Sequence, residues 1–93
     1  MRMWMLPVRA LCRQHLLGEH AEIHKAVGNL QHTGRWARSL IRKGYLDPHS
    51  FRSRHGELAR EMLRRGYDHR SPLDFPDSLV EGLGPVEIDT DKA

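Results

Sequence analysis

The stretch Gln14-His15-Leu16-Leu17-Gly18-Glu19-His20-Ala21-Glu22-Ile23-His24 carries three imidazoles and two carboxylates, where a purely structural helix would carry Lys, Gln or Ala. Roughly one helix length upstream the chain opens Met1-Arg2-Met3-Trp4-Met5. A free α-amino group has a pKa of about 7.7–8.0, so a useful fraction is an unprotonated nucleophile at neutral pH. A carboxylate brought close to that amine makes a compact site for imine chemistry.

Each of these residues also has a plainer reading. Glu22 can pair with Lys25 at i,i+3 or sit in water. His20 and His24 share one helix face at i,i+4 and can share a divalent ion. A good metal site needs three or four ligands, and His55 or His69 would have to supply the others. Otherwise His20 and His55 make a hydrogen-bonded core pair between packed helices, or they handle protons or phosphate in a cleft. Arg64-Arg65 either complement a helix C-terminus or bind phosphate. Arg2 gains a role only if the N-terminal arm folds back, which burial of Trp4 and Leu6 would drive.

The elements that must position these groups read as helices. Met3-Trp4-Met5-Leu6-Pro7 is an extended arm, because Pro7 biases Leu6 away from helix and can itself begin the next turn. From about Val8 to Leu30 the apolar residues keep helical spacing, with Leu16, Ile23, Val27 and Leu30 in one stripe and His20 beside them. A shorter helix is expected from Arg35 to Lys43, ending at Gly44, with Trp36, Leu40 and Ile41 inward. A third starts at Asp47-Pro48, a cap followed by Pro at the first helical position, and runs to Arg65 before Gly66. Its inner row is Phe51, His55, Leu58 and Met62; Arg52, Glu57, Arg60 and Arg64 face outward. After Ser71-Pro72 the periodicity is lost, and an irregular, partly mobile tail is expected. The fold class is therefore all-α, a bundle of about three helices over residues 1–73 with an acidic tail over 74–93.

Ninety-three residues make one domain near the lower size limit for a self-sufficient core. Residues 1–72 hold fourteen Lys and Arg against six acids, a net +8, while residues 73–93 hold six acids and Lys92 alone, a net −5. Twelve of those fourteen cations are Arg, whose planar fork matches phosphate geometry, so the body favours a polyanionic partner. The single Cys12 excludes an internal disulfide, fits a reducing compartment, and reads as a small apolar packer. No apolar run approaches the ~20 residues of a membrane span, and the opening is too short for a signal peptide. A cytoplasmic, nucleoid-associated monomer is expected.

The residues in order resemble a known family. Arg2, then Gln14-His15-Leu16 with Glu19 and Glu22, then Arg54-His55 through Glu57-Leu58, Glu61 and Arg65-Gly66-Tyr67, resemble the pyrimidine-dimer DNA glycosylases with abasic-site lyase activity, over residues 1–73. The resemblance is closest to short bacterial members. It implies an all-α fold whose N-terminal segment threads between helices, and damaged duplex DNA as substrate. It implies that the N-terminal amine attacks the deoxyribose C1′ of the damaged nucleotide, the base leaves, an imine forms, and β-elimination cuts the strand. No metal or organic cofactor is implied. By position Met1 carries the nucleophile, Arg2 stands beside it, and Glu22 is the catalytic acid. His15 and Lys25 match DNA-facing positions, and Arg13, Arg64 and Arg65 belong to the Arg-rich faces expected to hold DNA. Met1 is expected to be retained, because aminopeptidases act poorly before a large residue such as Arg2.

The chain departs from the family pattern in three places. It ends acidic instead of aromatic and basic, Ala21 stands where a DNA-binding Arg precedes the catalytic Glu, and the segment between the two motifs is short. These changes leave the lyase apparatus intact and open the lesion to a damaged base other than a cyclobutane dimer, or to abasic sites alone. Two other classes compete on the sequence: a non-catalytic basic DNA-binding or accessory protein, and a His-cluster metal protein.

Overall fold

The computed structural model describes residues 3, 5–67 and 72–83. Four helices follow one another: α1 (Arg13–Leu30), α2 (Arg35–Arg42), α3 (Phe51–Arg64) and the single turn α4 (Ser78–Glu81). No strand occurs among the described residues, so the chain is all-α. Expected and observed boundaries agree closely for α2 and differ at the start of α1. Val8–Ala10 form a separate 3-10 turn, Leu11 is extended at φ −78° and ψ 134°, and α1 begins only after Cys12. Arg65 explains the break, since its guanidinium takes the carbonyls of Val8 and Leu11 at 3.2 and 2.7 Å.

Both α2 and α3 stop the same way. Gly44 and Gly66 adopt φ 77° and 85°, which costs a residue without Cβ nothing. The next amides then turn back onto the helix, Tyr45 N–H to the Leu40 carbonyl at 2.9 Å and Tyr67 N–H to the Met62 carbonyl at 2.8 Å. The start of α3 is softer than the Asp47-Pro48 signal implies. The Asp47 carboxylate accepts from His49 N–H at 3.2 Å and from the Ser50 hydroxyl at 2.6 Å, and Pro48–Ser50 make a 3-10 turn before α3 proper. Asn29 near the end of α1 supplies what α2 lacks, its side-chain oxygen accepting from Ala37 N–H at 2.9 Å.

The core is aliphatic with one central aromatic: Leu16, Ile23, Leu46, Phe51 and Leu58 are fully buried. Ala37 and Ile41 are the buried residues of α2, while Trp36 and Leu40 pack half-buried around the core. Met3 is also fully buried, its N–H donating to the Tyr45 carbonyl at 2.8 Å and its sulfur accepting from Asp47 N–H at 3.3 Å. Met3 thus inserts into the bundle at the α2–α3 connection, while Trp4, whose burial is expected to fold the arm back, lies outside the described residues. Beyond residue 73 the chain still contributes to the core through Phe75, 6.5 Å from Phe51 in an edge-to-face contact.

One ion pair runs through this packing. Arg54 of α3 grips Glu19 of α1 with two nitrogens at 2.5 and 3.1 Å, both side chains essentially excluded from water. Glu57 accepts a further bond from Arg54 at 3.2 Å. A two-pronged bond of this kind fixes the rotation of α1 against α3, and with it the direction in which every other α1 residue points.

Candidate active site and the cationic faces around it

An α-helix advances about 100° per residue, so α1 has two distinct edges beside its buried stripe. His15, Gly18, Glu22 and Lys25 fall in one row, on the edge where Lys25 stacks 4.5 Å over the Trp36 ring of α2. His20 and His24 fall in the other, facing α3. Glu22 is 2% exposed, and its Oε2 has no hydrogen-bond partner among the described residues. Lys25 gives its ammonium to Trp36, and no ion pair joins it to Glu22 among the described residues. A buried carboxylate oxygen left without a donor is costly, and native proteins rarely keep one without a use. One turn before it, a Cβ placed on Gly18 meets no described atom within 4 Å.

The expected DNA-facing residues divide between these edges. His15 and Lys25 are exposed and share the Glu22 row, about 10 Å before it and about 4.5 Å after it along the axis. Arg13 lies on the α3 side, its guanidinium 5.5 Å over the Tyr67 ring. Arg64 and Arg65 sit near it at the end of α3, and both bind Glu61. Arg64 uses two nitrogens at 2.8 and 2.5 Å, Arg65 one at 2.7 Å. Arg65 is only 18% exposed and also holds the chain before α1, so it serves the scaffold; Arg64, 55% exposed, keeps a solvent face. Met1 and Arg2 lie outside the described residues, as does His69.

Arg64 and then Arg65, by hydrogen bonding, hold the Glu61 carboxyl at about 2, against 4.5 for a free side chain. The folded value lies below the unfolded one, so Glu61 contributes stability in full above about pH 4.5. That contribution is lost as pH falls toward 2. Thermal unfolding between those pH values should therefore depend less steeply on pH in Glu61→Gln than in the unsubstituted protein. Equal slopes would remove Glu61 from the acid transition.

Cys12 corrects its sequence reading, being exposed at the N-cap of α1 instead of packed in the core. Its sulfur lies 2.8 Å from His15 Nδ1. Hydrogen bonding from the His15 backbone, and then from its ring, lowers the thiol below its ordinary value. The periodic pattern ran through Cys12 because Leu11 and Leu16 flank it, and no local signal marked the break that Arg65 imposes from α3.

A small all-α body with a basic surface, a buried Met3 and, on its first long helix, a buried carboxylate oxygen without a partner among the described residues is the class of protein defined by this geometry. The family model described as pyrimidine dimer DNA glycosylase matches residues 1–75, and the chain belongs to that family. Its role is accordingly that of a DNA-repair glycosylase, with damaged DNA as its partner. No curated protein and no solved structure matches the chain. No described helix is long and apolar enough to cross a membrane.

Proposed function

We propose that the protein removes a damaged pyrimidine from duplex DNA and cleaves the abasic site through an imine on the Met1 amine, with Glu22 as the acid/base carboxylate. The observation that carries this reading is the buried Glu22 oxygen, which has no hydrogen-bond donor among the described residues. A cationic imine beside it would supply the missing charge partner and would be stabilised most in a site shielded from water. The burial of Met3 is consistent with the amine being held by the bundle, because two residues of chain reach at most about 7 Å from it.

In the proposed sequence the amine lone pair forms the bond to C1′. The glycosidic bond breaks toward the base, which leaves with the bonding pair and takes a proton. Loss of the amine proton and opening of the sugar ring give the imine, which Glu22 stabilises as the iminium. Removal of a C2′ proton, a second task suited to Glu22, expels the 3′ phosphate by β-elimination. His15 and Lys25, exposed on the Glu22 row, contact phosphates; Arg13 and Arg64 extend the contact across the α3 edge. The target nucleotide leaves the stack to reach the site, at a cost smaller where pairing is already damaged. A cyclobutane dimer is the leading lesion, with a related damaged pyrimidine the alternative.

Blocking the amine tests the reading directly. Acetylation of the N-terminus, or a short tag left ahead of Met1, should abolish strand cleavage while duplex binding stays within a fewfold. Full cleavage by the blocked protein would exclude the amine as nucleophile.

A further inference from the structure

We propose that His20, His24 and His55 form a binding site for one divalent late-transition-metal ion of the zinc class, joining α1 to α3. One helical turn separates His20 from His24, and the Glu19–Arg54 pair sets the rotation that turns their edge toward α3. His55 meets them from α3, its Nε2 lying 3.1 Å from His20 Nε2 and 3.1 Å from His24 Nε2. One ligand nitrogen from each of the three rings lies within 4.8 Å of the others. With zinc–nitrogen bonds of 2.0–2.1 Å, the nitrogens of a tetrahedral site stand about 3.3–3.4 Å apart. Two of the three separations are already within a few tenths of an ångström of that edge; the third, between His20 and His24, is bounded by 4.8 Å, so an ion would draw those two rings together by up to about 1.4 Å while His55 backs away slightly.

The geometry also argues against a cluster held by hydrogen bonds between the rings alone. A neutral imidazole Nε2 carries either one N–H or one in-plane lone pair. The single N–H or lone pair of the His55 nitrogen must therefore be shared between two close neighbours, a weaker three-centre arrangement. A cation joins all three nitrogens. The donors are all imidazole nitrogen, which suits zinc, copper or nickel and disfavours magnesium or calcium. His24 keeps solvent access, so water can reach a fourth position.

The site stands apart from the proposed base-excision chemistry. His20 and His24 lie about half a turn around α1 from Glu22, so the ion would brace the packing of the two helices and take no part in the reaction. It acts beside the Glu19–Arg54 pair, on the same helix interface.

The test uses the untagged full chain, stripped with a chelator and checked for helicity by circular dichroism. Titration with cobalt(II) should give the visible absorption of a four-coordinate ion, saturating at one equivalent, and zinc should bleach it. Zinc at a hundredfold over its Kd should raise the melting temperature by ~10 °C or more for a chain of this size. His24→Gln, at a part-exposed position, should keep the fold and weaken cobalt binding at least tenfold. His32→Gln, an exposed imidazole in the turn after α1, should bind as the unsubstituted protein does. A folded unsubstituted chain with neither cobalt absorption nor a zinc-dependent melting shift would overturn the site, as would undiminished binding in His24→Gln.

Discussion

Glu22→Gln is expected to lower base release at least ~100-fold, the lower end of what a positioned acid/base group contributes, and to leave duplex affinity within about twofold. The substitution keeps volume and removes the charge, so a binding role and a chemical role separate cleanly. Glu22 is buried and its Oε2 has no hydrogen-bond partner among the described residues. Oε2 therefore gives up no bond to a described residue when the charge is removed, and the melting temperature should hold or rise. A gain in stability coupled to a loss of turnover is the pattern expected where a protein keeps a strained charge for its chemistry. Base release within tenfold of the unsubstituted protein would remove Glu22 from the mechanism. A large fall in melting temperature would instead make it a structural carboxylate.

Arg54→Ala is the largest expected effect on stability. It leaves the Glu19 carboxylate buried against α3 without its two-pronged partner, which costs about 3–5 kcal/mol in comparable buried pairs. For a domain of this length that corresponds to a melting temperature lower by ~15 °C or more. Replacing both partners by apolar residues of similar volume, as in Glu19→Leu/Arg54→Met, should recover most of the loss, because the uncompensated charge goes with its partner. Urea unfolding of the single and double variants measures both terms. A single-variant loss below ~1 kcal/mol would show that α1 and α3 are held by apolar packing alone.

Much of the scaffold was legible because its signals are local. The row Phe51, His55, Leu58 and Met62 recurs at helical spacing and is buried as a unit, and Gly44 and Gly66 mark the helix ends where positive φ is required. What the sequence could not show depends on partners far apart in the chain. Arg65 breaks the first helical pattern by taking carbonyls more than fifty residues upstream. Glu19 stands out as a carboxylate in a chemical-looking stretch, yet only the fold reveals that Arg54 occupies it.

The candidate site divides along the same line. Local spacing offers Lys25 as the partner of Glu22, and the tertiary structure gives Lys25 to Trp36 instead, leaving Glu22 Oε2 without a partner among the described residues. The i,i+4 pair His20 and His24 was visible as half of a cluster. His55 completes it because the rotation of α1 against α3, fixed by the buried ion pair, turns the two edges together. Arg13, Arg64 and Arg65, grouped by sequence with His15 and Lys25 as one cationic set, fall on the opposite edge, with Arg65 drawn into the scaffold.

The most direct measurement is borohydride trapping of the untagged protein on three duplexes, one undamaged, one carrying a pyrimidine dimer and one abasic. Reduction converts an imine to a stable amine, so a covalent adduct identifies both the chemistry and the residue. An adduct with the dimer and abasic duplexes, absent from the undamaged one and mapped to Met1, is the result predicted here. No adduct on any duplex, from protein that binds all three with salt-sensitive affinity, would contradict it and leave a DNA-binding scaffold without the lyase chemistry.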